Sequence, residues 1–280
     1  MEIIKSIVFG IIEGITEWLP ISSTGHLILA DEFMRLNVSD AFKEMFFVVI
    51  QLSAILAVAT VFFNKINPLG KPKSDQKQVF SLWGKILMGC LPAAIIGVLF
   101  DDWFDAHFYN FLTVAIALIV YGVTFIVIEN YKKNSTFKIN DLNSLDYATA
   151  AKIGLFQILA LIPGTSRSGA TIIGAMLIGA SRGIAAEFSF LLAIPVMAGA
   201  SLLKVLKALN NGLVFTGNEI IILIVGLISS FIVSLIVVKF LLNYLRKHDF
   251  KVFGYYRIIL GVILIIYALA VSFNFILAIA

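Results

Sequence analysis

Charged residues are scarce in this chain of 280 residues. Asp, Glu, Lys and Arg make up 14% of it, whereas soluble domains carry about 25%. Hydrophobic residues reach 60%, and the mean hydropathy is +0.99. This composition excludes a soluble globular domain and indicates an integral membrane protein. Apolar runs of about 20 residues recur, which is the length that a helix needs to span a bilayer, so the expected fold is all-α.

Cysteine is almost absent, and the charge balance is nearly even. A single cysteine, Cys90, excludes an intrachain disulfide, and its apolar neighbours are typical of helix packing. The net charge is only +4, and most lysines fall in polar loops between apolar runs. Such lysines mark cytoplasmic loops of membrane proteins. The charge therefore reports orientation in a membrane and does not indicate a nucleic-acid partner.

Two kinds of apolar segment occur along the chain. Most are continuous and predict transmembrane helices, but two are interrupted by Pro20 and by Pro163-Gly164. Proline inside an apolar run ends or breaks a helix, so each interrupted run predicts a re-entrant helix-loop-helix pair. The predicted re-entrant pairs are 1–30 and 148–178, and the predicted spans are 44–63, 82–100, 111–129, 184–203, 219–242 and 257–279.

The same order of segments occurs twice. An offset of 143 residues places Pro20 on Pro163 and Ser23 on Ser166, with no gap from Pro20 onward. Three spans in each half would invert the second half relative to the first, which is the inverted-repeat plan of many transporters. The predicted units are a single membrane domain, 1–280, and its two inverted repeats, 1–143 and 144–280.

Loop charge predicts the orientation of the chain. The loops at 64–80, 131–147 and 243–256 are rich in lysine or arginine and are expected in the cytoplasm. The connection at 101–110 carries three aspartates and is expected outside. The first interrupted run would then enter the membrane from outside and the second from the cytoplasm, so that their polar breaks meet near the midplane.

Glu13 and Glu17 are the first polar residues at a break. Their i, i+4 spacing places both on one helix face, about 6 Å apart. Two embedded carboxylates this close cannot both stay charged without help, so they share a proton or hold a cation. A divalent metal ion with carboxylate and phosphate oxygens as ligands is the natural occupant. A charged face exposed to water at the membrane surface is the alternative.

Three hydroxyls and an imidazole follow within a few residues. Ser22, Ser23 and Thr24 precede His26, and one of the hydroxyls can serve as the N-cap of the next helix. Ser23 and His26 are close enough in sequence for the imidazole to take the hydroxyl proton. Either of them could attack phosphorus, and the residues alone leave both assignments open.

The second break carries the features of an anion site. Pro163-Gly-Thr-Ser-Arg-Ser-Gly169 reads as a loop that opens a helix, and its backbone N–H groups, hydroxyls and arginine suit phosphate. An arginine that neutralises Glu13 or Glu17 is the alternative, and both can hold if the pair forms in the empty site. The candidate phosphate ligands here are Gly164, Thr165, Ser166, Arg167 and Ser168, with Ser22 and Thr24 from the first break.

Together these motifs resemble the signatures of the bacterial undecaprenyl-diphosphate phosphatases, also called bacitracin-resistance proteins. The resemblance covers essentially the whole chain. It implies removal of the terminal phosphate from undecaprenyl diphosphate, which recycles the lipid carrier for cell-wall synthesis and confers bacitracin resistance. It also implies dependence on Mg²⁺ or Ca²⁺ and an inverted repeat with two re-entrant helix pairs.

The resemblance also implies roles for single residues. Glu13 and Glu17 match the family's metal-binding glutamate pair, Ser23 its proposed nucleophile, His26 its histidine and Arg167 its phosphate-binding arginine. The implied setting is the bacterial plasma (inner) membrane, with the site facing the periplasmic side and a polyprenyl diphosphate as substrate. A homodimer stays open. A transporter or flippase of the same lipid phosphate is the alternative function, because inverted repeats are common in transporters.

Overall fold

The computed structural model describes residues 1–279 except 109, 134, 211, 213 and 214. For residues 101, 105 and 272–279 it describes the backbone alone. Within this part every regular element is helical, apart from an isolated β-bridge. In chain order the helices are α1 (Glu2–Thr16), α2 (Ser23–Met34), α3 (Asp40–Val61), α4 (Phe63–Ile66), α5 (Lys73–Phe108), α6 (Phe111–Tyr131), α7 (Tyr147–Gln157), α8 (Arg167–Ile178), α9 (Arg182–Asn210), α10 (Gly217–Tyr244) and α11 (Lys251–Ile279), with 3-10 turns at Leu142–Ser144 and Ile158–Leu161.

Six of the described helices, namely α3, α5, α6, α9, α10 and α11, are long and apolar enough to cross a membrane. In the most apolar stretch of each, only 22–44% of the residues are buried inside the protein. The outward side chains are mostly Leu, Ile, Val and Phe, and an apolar exterior of this kind needs lipid around it. The predicted all-α class with six spans is confirmed, and the chain is a multi-pass membrane protein.

Several predicted boundaries were wrong, because helices continue beyond their apolar stretches. Helix α5 begins at Lys73, inside the predicted loop 64–80, and runs through the predicted aspartate connection to Phe108. Its start is set by Pro72, whose carbonyl accepts from the N–H of Asp75, and proline is favoured at helix starts. Helix α11 likewise begins at Lys251, before the predicted span 257–279.

The four helices of the two interrupted runs are too short to cross a bilayer. Helices α1, α2, α7 and α8 have 15, 12, 11 and 12 residues, whereas a span needs about 20. They occupy the two interrupted runs, and the breaks fall where proline predicts them. Their re-entrant course through the bilayer stays a prediction.

Helix pairing follows the pattern that a two-fold repeat requires. Helix α1 packs on α10, α7 on α5, α3 on α9 and α6 on α11. By their order in the repeat, α1 corresponds to α7, α3 to α9, α5 to α10 and α6 to α11. Exchange of the two halves therefore turns the α1–α10 pair into the α7–α5 pair and leaves the α3–α9 and α6–α11 pairs unchanged. The first short helix of each half, α1 or α7, is therefore held by a long helix of the other half. This pattern is the one expected of a two-fold repeat, and the inversion of the second half stays a prediction.

The second helix of each break starts with the same turn. Ser22 and Ser166 are the only non-glycine residues with positive φ in the described part of the chain, at 75° and 71°. Each hydroxyl caps its helix by accepting from the N–H of a glycine three residues on, Gly25 or Gly169. Non-glycine residues in this region of backbone space are strained, and such strain clusters at functional sites.

The two caps correct the alignment of the halves. They lie 144 positions apart, so the ungapped offset of 143 is wrong at the break. Pro20 precedes its cap by two residues, whereas Pro163 precedes its cap by three. Ser23 therefore corresponds to Arg167, and each is the first residue of its helix.

Glycines allow the short helices to approach their partners closely. A Cβ atom on Gly154 of α7 would lie 2.2 Å from the carbonyl oxygen of Gly89 on α5. A Cβ on Gly10 of α1 would lie 2.6 Å from the carbonyl oxygen of Gly226 on α10. Small residues at such crossings let membrane helices pack backbone to backbone.

Substituting Gly154→Ala should lower the thermal stability of the purified protein in detergent. The added methyl group meets backbone atoms that cannot rotate away, and overpacking of this kind costs about 1–3 kcal/mol. Gly199→Ala is the matched control, because a Cβ at that helical position meets nothing within 4 Å. Equal melting temperatures for the two variants would contradict the close α5–α7 contact.

Candidate active site

The two breaks meet in the folded chain, as the sequence predicted. The centre of the contact is the carboxylate of Glu17, which follows the last residue of α1. Its Oε1 accepts from Nη2 of Arg167 at 3.0 Å, and its Oε2 accepts from Oγ of Ser23 at 2.6 Å. Both charged side chains are about nine-tenths buried, at 9% and 10% exposure. One carboxylate thus joins a hydroxyl from the first half to a cation from the second.

Local sequence explains how Ser23 reaches Glu17. Helix α1 ends at Thr16, shortly before Pro20, and proline disfavours helical backbone at the residue before it. The chain then turns through the cap at Ser22, which makes Ser23 the first residue of α2. The end of one helix and the start of the next therefore lie side by side, with a carboxylate on one and a hydroxyl on the other.

Arg167 occupies the same position at the start of α8. Its Nη1 donates to the carbonyl oxygen of Ser189 at 2.8 Å, and its guanidinium lies over the ring of Trp18 at 5.8 Å. Its Nε has no partner among the described residues. The arginine is held in place on three sides and retains a donor, which is the arrangement needed to receive an anion.

Glu13 lies one helical turn before Glu17 and is completely buried. Neither oxygen of its carboxylate has a hydrogen-bond partner among the described residues. A buried carboxylate without a partner is costly, and carboxylate oxygens such as the two free oxygens of Glu13 are ligands that a hard divalent cation prefers. No group of three or more His, Cys, Asp or Glu in the described part could hold a metal ion. A cation bound to the free oxygens of Glu13 would therefore take further ligands from Glu17, water or phosphate.

His26 does not contact Ser23 as the spacing suggested. Its Nδ1 donates to the carbonyl oxygen of Ser22 at 2.7 Å, and its Nε2 lies 2.7 Å from the hydroxyl of Tyr256 on α11. The ring is one turn into α2 and bonds back to the cap, which directs its other nitrogen toward α11. The partner of the Ser23 hydroxyl is Glu17 instead.

The remaining candidate phosphate ligands form the turns around this centre. The hydroxyls of Ser22 and Ser166 cap their helices, and the Oγ of Ser166 lies 3.1 Å from that of Ser168. Ser168 also donates to the backbone carbonyl of Glu17 at 3.3 Å. Thr165 is buried with an unpartnered hydroxyl, and Thr24 is half-buried in the first turn of α2.

Sequence reasoning missed Arg257, which joins the breaks from outside both of them. It is fully buried. Its Nη1 donates to the carbonyl of Pro20 at 3.0 Å, and its Nη2 donates to the carbonyls of Gly164 and Thr165 at 2.7 and 2.9 Å. Its Nε donates to the carbonyl of Leu118 at 3.4 Å. A lone arginine at the start of a predicted span looks like a membrane-surface anchor, so no local signal identified it.

Comparison with known proteins identifies the family of this chain. The family model for the bacitracin resistance protein BacA matches residues 6–263. A protein of Enterococcus faecalis named undecaprenyl-diphosphatase is 62% identical over 94% of this chain and 96% of its own length.

Proteins of the same name in Acetivibrio thermocellus and Desulfitobacterium hafniense are 58% and 57% identical. These matches cover 97% and 95% of this chain, and 99% and 96% of the respective relatives. The similarity thus includes both breaks and the helices that hold them. The chain belongs to the BacA bacitracin resistance protein family.

Proposed function

We propose that this protein hydrolyses undecaprenyl diphosphate to undecaprenyl phosphate and inorganic phosphate. The observation that carries the proposal is the buried Glu17 carboxylate, which accepts from the hydroxyl of Ser23 and pairs with Arg167. A base, a nucleophile and an anion-binding cation are the parts that phosphoryl transfer requires. The names of the relatives supply the substrate, and the apolar exterior suits a lipid tail.

The first step transfers the terminal phosphoryl group to the enzyme. Oγ of Ser23 attacks the terminal phosphorus, and Glu17 accepts the hydroxyl proton through the 2.6 Å hydrogen bond. A bond forms between Oγ and phosphorus, while the bond from phosphorus to the bridging oxygen breaks. Undecaprenyl phosphate leaves with the electron pair of that bond.

The second step releases phosphate. Water attacks the phosphorus of the phosphoserine and gives a proton to Nε2 of His26, whose lone pair the hydroxyl of Tyr256 releases as the water takes its place. His26 then passes this proton to solvent as phosphate departs. The Oγ–phosphorus bond breaks, and Glu17 returns its proton to Ser23. Glu17 and His26 serve different steps because Glu17 is bonded to Ser23, whereas His26 is bonded to Ser22 and Tyr256.

Charge on the diphosphate is stabilised mainly from the second break. Arg167 binds phosphate oxygens through its free Nε–H and its guanidinium edge, and the first N–H groups of α8 point toward the same anion. Nearby hydroxyls that can donate to phosphate are those of Thr24, Thr165 and Ser166, and that of Ser168 if it leaves the carbonyl of Glu17.

Glu13 and Glu17 are the residues that would hold a divalent cation, Mg²⁺ or Ca²⁺. When bound, the cation neutralises charge on the diphosphate and polarises its oxygens. The unpartnered oxygens of Glu13 support this assignment. A carrier of the lipid phosphate would not need the serine–carboxylate hydrogen bond, and the phosphate-release assay below separates the two functions.

We assign the protein to the bacterial plasma (inner) membrane, with the site opening to the periplasmic side. The lysine-rich loops support this orientation, because such loops stay in the cytoplasm. The first break, which carries Glu17 and Ser23, then enters from the outer face. We take the working unit as a monomer or a homodimer, since the site is built from one chain.

Ser23→Ala and His26→Ala should have different effects on phosphate release from radiolabelled polyprenyl diphosphate. Loss of the nucleophile should reduce turnover by at least about 10²-fold and leave no label on the protein. Loss of the base for water should slow turnover and let phosphoserine accumulate. Ser135→Ala, at an exposed loop position, should behave as wild type. Label that persists in Ser23→Ala and disappears in His26→Ala would assign the attack to His26.

Glu13→Gln should raise the Mg²⁺ concentration needed for half-maximal phosphate release. The amide retains the shape of the side chain but loses the charge that attracts the cation. Glu44→Gln, on the exposed face of α3, is the matched control and should leave the metal titration unchanged. The same titration curve for both variants would rule out Glu13 as a metal ligand.

Cysteine labelling in intact cells should report the orientation. In a Cys90→Ala background, Lys73→Cys should resist a membrane-impermeant maleimide and react only after the cells are opened. Ala106→Cys, at the opposite end of α5, should react from outside. Labelling of position 73 in intact cells would reverse the proposed topology.

A further inference from the structure

Tyr256 connects α11 to the candidate active site through a single hydrogen bond. Its hydroxyl lies 2.7 Å from Nε2 of His26, although the two residues are 230 positions apart. The two ring planes are within 6° of parallel. The established family membership gives this tyrosine no role, and the proposed reaction requires only that its hydroxyl release Nε2.

The contacts of His26 fix the direction of the hydrogen bond. A backbone carbonyl can only accept, so the bond from Nδ1 to the carbonyl of Ser22 places the proton on Nδ1. In a neutral imidazole the other nitrogen is then an acceptor. The hydroxyl of Tyr256 must therefore donate to Nε2, and it stabilises the tautomer in which Nε2 carries no proton.

Arg257 holds Tyr256 in position. It is the next residue on α11, and its guanidinium bonds to the carbonyls of both breaks. The backbone that carries Tyr256 is thereby tied to the same turns that carry the site. The tyrosine is 43% exposed, so the surrounding core does not hold its ring, and the anchor beside it limits its movement.

We propose that Tyr256 is a positioning residue for the reaction: in the resting site its hydroxyl holds His26 in the tautomer and orientation in which Nε2 carries no proton, and it yields the lone pair of Nε2 to the attacking water. This inference rests on the proposed role of His26 in the release of phosphate. The hydroxyl also directs Nε2 away from Ser23, which leaves Glu17 as the base for the first step. One hydrogen bond from α11 thus separates the two proton transfers.

The tautomer can be measured independently of activity. The sequence has three histidines, so ¹⁵N-histidine labelling of the purified protein gives a simple spectrum, and His26→Ala identifies the signals of His26. In wild type we expect a protonated Nδ1 and a hydrogen-bonded, unprotonated Nε2. Tyr256→Phe should shift the Nε2 signal and mix the tautomers. Tyr255→Phe is the matched control, because the neighbouring tyrosine is exposed and makes no bond to His26. Identical His26 signals in wild type and Tyr256→Phe would overturn the proposal.

Kinetics then test the consequence for the reaction. Tyr256→Phe should lower kcat for phosphate release by about 3- to 10-fold, as expected for the loss of one hydrogen bond, and should lower KM in proportion, so that kcat/KM is nearly unchanged. Tyr255→Phe should leave both constants unchanged. Phosphoserine should accumulate in Tyr256→Phe but not in Tyr255→Phe, because the second step is the one affected.

A double-mutant cycle tests whether Tyr256 acts through His26. In a His26→Ala background, Tyr256→Phe should cause no further loss. An equal additional loss there, or an effect confined to KM, would overturn the positioning role and assign Tyr256 to substrate binding. If wild type releases no phosphate from the lipid diphosphate, the proposed function fails, and the ¹⁵N spectra still decide whether Tyr256 holds the tautomer.

Discussion

The structure depends on one buried carboxylate that has partners in both halves of the chain. Glu17 pairs with Arg167 and accepts from Ser23 in a site from which water and lipid are largely excluded. Removing one partner of a buried ion pair leaves an uncompensated charge and costs about 3–5 kcal/mol. The two breaks must therefore stay together. Arg257 serves the same end from α11, because its donors bind carbonyls that the breaks cannot use within their own helices.

Much of the fold could be predicted from composition and from proline. Apolar runs located the six long helices, since lipid contact demands them, and Pro20 and Pro163 located the breaks. Helix ends were less predictable, because hydropathy reports contact with lipid and a helix such as α5 continues through polar residues on both sides of the membrane. The predicted register of the repeat was wrong by one residue at the caps, because the position of a turn depends on backbone geometry as well as on identical residue types.

The candidate site was predictable only where its residues are neighbours in sequence. The polar runs identified Glu13, Glu17, Ser23 and Arg167, because polar residues in apolar surroundings are conspicuous. The pairing of Arg167 with Glu17 was one of the predicted alternatives and is confirmed, whereas the hydrogen bond from Ser23 to Glu17 was not predicted. Ser23 and His26 are close in sequence but separate in their hydrogen bonds, whereas His26 and Tyr256 are far apart in sequence and directly bonded. A tyrosine and an arginine at the start of an apolar helix look like membrane-surface anchors, so their role appears only in three dimensions.

The matched turns at Ser22 and Ser166 have a consequence for how such a protein could arise. The same turn places a hydroxyl at the head of one helix and a guanidinium at the head of the other, and the counterparts of Glu13 and Glu17 are Gln157 and Leu161. Two copies of the first half would bring together four acids without an arginine, and two copies of the second half would bring together two arginines without an acid. The buried pair of Glu17 and Arg167 therefore exists only because the two halves differ at matched positions, and duplication alone could not have produced it.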